Sequence, residues 1–104
     1  MLDNVAARSA QLARALGPVA DHRAVGAVRQ RGLMVGVELA PPPGAERWGR
    51  RVCAAAVDRG VLLRPLGDVV VLMPPLTITA EEVDRIVAVL GASLDVVAAA
   101  DGSE

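Results

Sequence analysis

Arg64 is the first residue with evident chemical potential, because its guanidinium follows three apolar residues and directly precedes a proline. An arginine held in this way can bind a carboxylate through two parallel, charge-assisted hydrogen bonds. The pattern predicts a short strand over Val61–Arg64 and a turn over 65–68, so that Arg64 would stand at a rigid strand end. A structural ion pair with Asp68 across that turn is the competing interpretation, since such pairs are common.

Three other side chains are of reactive or bulky types, but a simpler role is predicted for each. His22 lies between Asp21 and Arg23 in a polar connection, and we expect it to be solvated because no serine or cysteine nucleophile is arranged with it. Cys53 lies in an alanine-rich helix, which favours a small buried apolar residue over a nucleophile. Trp48 is predicted to anchor the core or a domain interface. The sequence therefore assigns no catalytic, cofactor-binding or metal-ligating residue.

The composition excludes several classes of function. Phe and Tyr are absent, so base-stacking surfaces are not available, and eleven basic against twelve acidic residues give a net charge of −1. This balance disfavours a nucleic-acid or membrane partner. All the basic residues are arginines, so the chain has no lysine for a Schiff base. One cysteine and one histidine cannot build a Cys/His zinc site or a disulfide framework, which is typical of a reducing, cytoplasmic compartment.

The periodicity of apolar residues predicts seven elements within a single domain spanning 1–104. The last helix has the clearest start: Thr79 is a good N-cap, Glu82 completes a capping box, and Ile78 and Val83 occupy the positions of a hydrophobic staple. The strand over 69–73 is an unbroken apolar run, which predicts burial on both faces. Helices are expected over 2–16, 45–59 and 79–97, and strands over 25–30, 33–39, 61–64 and 69–73.

The connections between neighbouring strands are short and contain glycine, which favours antiparallel pairing. With helices before, between and after two such pairs, the predicted fold class is α+β. We expect a two-layer sandwich whose mostly antiparallel sheet carries the helices on one face.

Residues 60–75, with the sequence GVLLRPLGDVVVLMPP, resemble the C-terminal end of the class-III pyridoxal-phosphate aminotransferases. The shared features are a turn-flanked R-P-x-G, an apolar strand and L-M-P-P, followed by the helix from Thr79. The hairpin over 32–38 is similar to part of the small domain of this family. The resemblance covers roughly residues 2–97.

The resemblance implies a role that the residue types alone do not. The chain would be the C-terminal small domain, packed in the complete enzyme against a large cofactor domain and a homodimer partner. The arginine at the position of Arg64 would bind the carboxylate of the keto-acid substrate. Among family members the similarity is to those of biotin synthesis, which aminate 8-amino-7-oxononanoate with S-adenosylmethionine as donor. Pyridoxal phosphate would serve the complete enzyme, and this chain, without the catalytic lysine, is expected to be inactive alone.

Two alternatives stay open. The chain could belong to another class-III ω-aminotransferase, because Leu62, Leu66 and Val71 stand where family members often carry aromatic residues. It could instead be a freestanding, non-catalytic binding module derived from the enzyme. An uncovered apolar patch beside a solvent-facing Arg64 would favour a piece of the enzyme, whereas a structural acid against Arg64 would favour the module.

Overall fold

A computed structural model describes residues 2–100 of the chain, and it confirms the α+β class with an antiparallel sheet. The sheet has the order β1-β2-β4-β3, and every neighbouring pair is antiparallel. The elements in chain order are α1 (Leu2–Ala15), α2 (Gly17–Ala20), β1 (Val25–Arg31), β2 (Met34–Leu39), α3 (Trp48–Asp58), β3 (Arg64–Leu66), β4 (Val69–Leu72) and α4 (Ala80–Ala100).

The residues of β2 alternate between the two faces of the sheet. Val35 and Val37 of β2 are fully buried, whereas Gly36 between them is half-buried. Val37 lies opposite Val70 of β4, which is fully buried as well. Successive side chains of a strand point to opposite faces, so one face of the sheet lies against the helices and forms the core.

The start of α4 agrees with its sequence signature in every detail. The Thr79 N–H donates to Glu82 Oε1 at 2.9 Å, and the Glu82 N–H donates to Thr79 Oγ1 at 3.1 Å. Ile78 and Val83 are both buried, as a hydrophobic staple requires. The capping box and staple fix where the chain leaves the sheet and enters the longest helix.

The predicted strand over 61–64 and turn over 65–68 are wrong. Pairing begins at Arg64 and includes Leu66, and only Gly67 and Asp68 form the turn. The reason lies at the end of α3, where Gly60 takes a φ of +87° and the Val61 N–H donates to the Ala56 carbonyl at 2.9 Å. This Schellman-type cap ties Val61 to the helix, so the chain reaches the sheet three residues later than predicted.

The expectation that strand 69–73 is buried on both faces is also wrong. Val70 and Leu72 are buried, but Val69 and Val71 are only half-buried, and Met73 is 62% exposed and lies outside β4. Within residues 2–100 the helices cover one face of the sheet, so the apolar side chains on its other face are left partly open.

Two helix boundaries differ from the predicted ones. The helix predicted from residue 45 begins at Trp48, because Arg47 has a left-handed backbone (φ +58°) that cannot continue a helix. The helix predicted over 2–16 ends at Ala15, and Gly17 and Pro18 begin the short α2. Proline is well tolerated in a first turn, where its missing N–H has no partner to lose.

The predicted roles of Trp48 and Cys53 in the core are confirmed. Trp48 is 3% exposed and Cys53 is 6% exposed, and both belong to the hydrophobic core cluster. They lie on the buried stripe of α3 together with Val52 and Ala56, both fully buried. The tight packing of this stripe fixes α3 against the sheet.

Candidate functional site

Arg64 is the first residue of β3, one of the two edge strands of the sheet, and it is exposed. It lies opposite Val71, whereas the next residue, Pro65, lies opposite the fully buried Val70. Because paired residues share a face, Arg64 and Val71 lie on the face of the sheet that the helices leave uncovered. We call this the open face; one row across it consists of Arg29, Gly36, Val71 and Arg64.

A depression of about 530 Å³ surrounds Arg64 at the edge of the sheet. Arg64 is the one charged residue of its lining, and the other lining residues are apolar. They are Leu62, Leu63, Pro65, Val71 and Met73. A cation at the rim of an apolar depression matches a ligand that combines a carboxylate with a hydrocarbon chain.

The alternative ion pair between Arg64 and Asp68 is not formed. Among residues 2–100 Arg64 has no carboxylate within salt-bridge distance, whereas Arg29 in the same row pairs with Glu38 at 2.7 Å. Asp68 instead contributes its backbone carbonyl, which accepts the Leu39 N–H at 2.8 Å. The Arg64 guanidinium is therefore available to an anion from outside the described chain.

Large apolar side chains next to Arg64 are uncovered. Leu62 is 85% exposed, Leu66 61% and Met73 62%; Met34, on the open face of β2, is 51% exposed. Scattered exposed leucines are normal, but a contiguous group around one cation marks an interaction surface. The residue pattern predicts Arg64 as a carboxylate ligand, but it does not predict which residues surround it. That surface depends on which face of the sheet the helices leave open.

The hairpin that carries Arg64 is held from two sides. Gly49 of α3 lies so close to the β3–β4 turn that a Cβ there would overlap the Gly67 carbonyl oxygen and lie 3.6 Å from the Pro65 Cβ. From the sheet, the Leu39 N–H reaches the Asp68 carbonyl. Gly67 itself has a φ of +60°, which a two-residue hairpin turn needs and which glycine adopts without strain.

His22 is not the solvated residue that was predicted. Its Nε2 lies 2.7 Å from Asp95 Oδ1 on α4, and the Ala24 N–H donates to its Nδ1 at 3.0 Å. An Nδ1 that accepts leaves the proton on Nε2, which then donates to Asp95. Both ring nitrogens are used to hold the start of β1 against α4, so His22 is placed as a structural residue and lies away from Arg64.

The thiol of Cys53 is placed as an unreactive group, because burial raises its pKa above its usual value of about 9. Since burial disfavours the thiolate, the neutral thiol stabilises the folded state relative to the unfolded one. This contribution to the free energy of unfolding is complete below the usual pKa and is lost as the pH rises through the raised pKa. We expect labelling of the native chain with a thiol reagent at pH 8 to be at least roughly ten-fold slower than in urea. Equal rates in the two states would contradict the buried position of Cys53.

The described residues form neither a metal-binding cluster nor a membrane-spanning helix. Over the described range 2–100, no three His, Cys, Asp or Glu side chains are grouped so that they could hold a metal ion. None of the helices in that range is both long enough and apolar enough to cross a membrane.

Comparison with known proteins identifies the relatives of this fold. Residues 1–94 match the family model described as aminotransferase class-III. The adenosylmethionine-8-amino-7-oxononanoate aminotransferase of Nitratidesulfovibrio vulgaris is 44% identical over 93 residues, which is 83% of this chain and 17% of that protein. The enzyme of the same name from Geobacter sulfurreducens is 51% identical over 70 residues, 61% of this chain and 16% of that protein.

The structural comparison agrees with the sequence comparison. The adenosylmethionine-8-amino-7-oxononanoate aminotransferase of Methanocaldococcus jannaschii superposes with a TM-score of 0.83 at 31% identity, covering 89% of this chain and 23% of that one. Other similar proteins are named diaminobutyrate–2-oxoglutarate transaminase, omega-aminotransferase and acetylornithine aminotransferase, at 38–44% identity. The chain thus spans about a fifth of the length of the proteins it matches.

Proposed function

The chain belongs to the class-III aminotransferases, and we propose that it is the C-terminal small domain with which such an enzyme recognises its substrate in biotin synthesis. The complete enzyme would use pyridoxal phosphate to transfer an amino group from S-adenosylmethionine to 8-amino-7-oxononanoate, giving 7,8-diaminononanoate. The names of the relatives from Nitratidesulfovibrio vulgaris and Geobacter sulfurreducens support this substrate. So does the chemistry of the depression at Arg64, which suits a long-chain carboxylate.

The state of Arg64 is the observation that carries the proposal. Its guanidinium is exposed at a sheet edge, lacks a carboxylate partner among residues 2–100, and is surrounded by apolar side chains. An arginine with a structural role is typically paired with a carboxylate. An arginine that only keeps the surface soluble is typically surrounded by polar side chains and not by exposed leucines and methionines. A bidentate contact with the carboxylate of the keto acid would satisfy the guanidinium.

The role of Arg64 would be orientation. The carboxylate of 8-amino-7-oxononanoate is at the opposite end of the molecule from the carbonyl that reacts. Holding the carboxylate at a rigid strand therefore restricts where the carbonyl can lie. The apolar side chains of Leu62, Val71 and Met73 would meanwhile exclude water from the hydrocarbon chain that joins the two ends.

The residues of this chain do not fit pyridoxal phosphate by themselves. The cofactor is held covalently by a lysine, and all eleven basic residues here are arginines. When bound in a complete enzyme, pyridoxal phosphate supplies an electron sink for amino transfer. The lysine and the phosphate ligands would come from the remaining four-fifths of the enzyme and from its homodimer partner, and the whole would work in the cytoplasm.

Two observations bear on the alternatives. The uncovered apolar side chains around Arg64, Leu62 at 85% exposure foremost, favour a piece of a larger protein over a freestanding binding module. Relatives named for other amino donors and acceptors support a second candidate, an ω-aminotransferase with a different carboxylate substrate. The carboxylate substrate that the complete enzyme prefers distinguishes the biotin-pathway enzyme from the ω-aminotransferase.

The native polypeptide that carries this sequence provides the test. It would be captured from its source cells with antibodies raised against residues 2–100, sized, and assayed for amino transfer. We expect a polypeptide several-fold heavier than the 10.7 kDa of this chain. It should aminate 8-amino-7-oxononanoate from S-adenosylmethionine and leave acetylornithine and simple ω-amines largely untouched.

The possible outcomes separate the three candidates. A heavy polypeptide that prefers another carboxylate substrate would replace the biotin-pathway assignment by an ω-aminotransferase. A band at 10.7 kDa alone, with no transferase activity in the captured material, would overturn the enzyme and leave the freestanding module.

A further inference from the structure

A second cavity of about 370 Å³ lies between the segment that follows α3, the segment that follows β4, and the first turns of α4. Its wall is largely apolar: Leu72 is buried, Leu63 and Ile86 are half-buried, and Pro74 and Pro75 form part of the rim. It shares Leu62, Leu63 and Met73 with the depression around Arg64, but Arg64 does not line it. Its volume lies within the range of small-molecule sites.

Arg85 places a cation at this cavity. Within residues 2–100 its guanidinium makes one hydrogen bond, a long one of 3.5 Å from Nη2 to the Arg59 carbonyl. No carboxylate of residues 2–100 lies within salt-bridge distance of it. Most of the donors of Arg85 therefore remain available to an anion.

Gly60 explains why the guanidinium can lie there. A Cβ at this position would lie 2.8 Å from Arg85 Nη2, so any other residue would push the guanidinium away. The helix cap already requires glycine here, since its φ is +87°. The same glycine thus ends α3 and makes room for Arg85 at the mouth of the cavity.

Glu82 also lines the cavity, so one carboxylate and one cation face it. Glu82 directs Oε1 to the Thr79 N–H at 2.9 Å, as part of the capping box, and does not pair with Arg85. A carboxylate held by the helix N-terminus is already satisfied electrostatically. Arg85 is left as the group that selects the charge of a ligand.

We propose that this cavity is a second binding site, for a monocarboxylate with a medium-length aliphatic chain, with Arg85 holding the carboxylate and Leu63, Leu72 and Ile86 enclosing the hydrocarbon. It adjoins the Arg64 depression, with which it shares three lining residues, but it has its own cation and its own apolar wall. Binding there does not depend on transamination. Its occupant could be free in solution, or it could be a substrate or product of the enzyme to which the chain belongs; both have the same head group and chain.

Sodium octanoate is the probe for the test, with methyl groups of the 104-residue chain observed by NMR. Saturable shifts are expected at Leu72, Ile78 and Ile86, which line this cavity and not the Arg64 depression. Octanol, which lacks the charge, should bind about ten-fold more weakly or worse. Arg85→Gln should weaken octanoate binding by about ten-fold or more, while Arg85→Lys should recover part of it. Arg31→Gln, at an exposed arginine that does not line the cavity, is the matched control and should change nothing.

Three results would overturn this site. Saturable shifts at Val71 with none at Leu72, Ile78 and Ile86, abolished by Arg64→Gln, would place the ligand at the first depression. Equal affinity of the wild type and Arg85→Gln would remove the role of Arg85. Binding by the 104-residue chain that is lost in the native polypeptide would mean that another part of that protein covers the cavity. Because none of these readings uses amino transfer, they are independent of the outcome for the proposed enzyme.

Discussion

If the proposed function holds, replacing Arg64 by alanine in the complete enzyme should lower kcat/KM for 8-amino-7-oxononanoate by roughly 30- to 5,000-fold. The range corresponds to about 2–5 kcal/mol for removing one partner of a desolvated, charge-assisted contact. The apolar side chains around Arg64 exclude water once a ligand covers them, so the contact would be stronger than an exposed ion pair. The free energy of unfolding should barely change, because Arg64 is exposed and has no carboxylate partner among residues 2–100.

The assay can be made in the native polypeptide or in a hybrid. In the hybrid, this chain replaces the matching segment of the Geobacter sulfurreducens enzyme, which is 51% identical over 70 residues. Arg64→Lys keeps the charge but loses the planar two-point contact, and it should recover activity only in part. Arg31→Ala is the matched control, since Arg31 is also exposed on the open face but at the far edge strand.

A change in the substrate separates binding of the carboxylate from other effects of the mutation. The methyl ester of the keto acid has no charge for Arg64 to hold, so wild type and Arg64→Ala should process it at similar rates. The comparison is a double-mutant cycle with one change in the protein and one in the ligand. If Arg64→Ala retained full kcat/KM for the acid, or lost as much on the ester, the assignment of Arg64 to the carboxylate would be wrong.

The elements that sequence predicts well here are those set by local chemistry. The capping box of Thr79 and Glu82 forms as predicted, because its hydrogen bonds join groups three residues apart. The alternation around Val35 and Val37 is kept, because a one-residue slip would expose the whole buried face. Both signals are complete within a short stretch of the chain.

The errors occur where a backbone hydrogen bond, a covering surface or a distant partner decides, and not the pattern of residue types. Val61 has the composition of a strand residue, but its N–H is taken by the Ala56 carbonyl of the preceding helix. The apolar run over 69–73 is typical of a strand buried on both faces, but the second face has no cover within the described chain. His22 was expected in solvent, and its partner Asp95 lies 73 residues further along.

The site shows the same division. Arg64 could be found from its own neighbours in sequence, because an arginine between apolar residues and a proline is locally unusual. Its availability could not be found in that way, since it depends on what lies within reach in three dimensions. Arg85 has no local signal of this kind, because its closeness to Gly60, at the end of α3, is a property of the folded chain.

Gly49→Ala should be strongly destabilising, because it acts on the packing that positions Arg64. The added Cβ would overlap the Gly67 carbonyl oxygen, and backbone cannot yield as a flexible side chain does. We expect about 2–3 kcal/mol of destabilisation, an overpacking cost. In a chain of this size the melting temperature should fall by roughly 10–20 °C. Thermal unfolding followed by circular dichroism measures both quantities.

Gly91→Ala is the control that makes this result specific. Gly91 also lies in a helix, α4, but a Cβ there would have nothing within 4 Å. Alanine is the better helix former, so this variant should gain about 0.5–1 kcal/mol. Equal and small effects at the two glycines would show that α3 does not press on the β3–β4 turn. If Gly49→Ala is destabilising and, in the hybrid enzyme, weakens the acid substrate more than its methyl ester, then the close approach of Gly49 to Gly67 is what holds Arg64 in place.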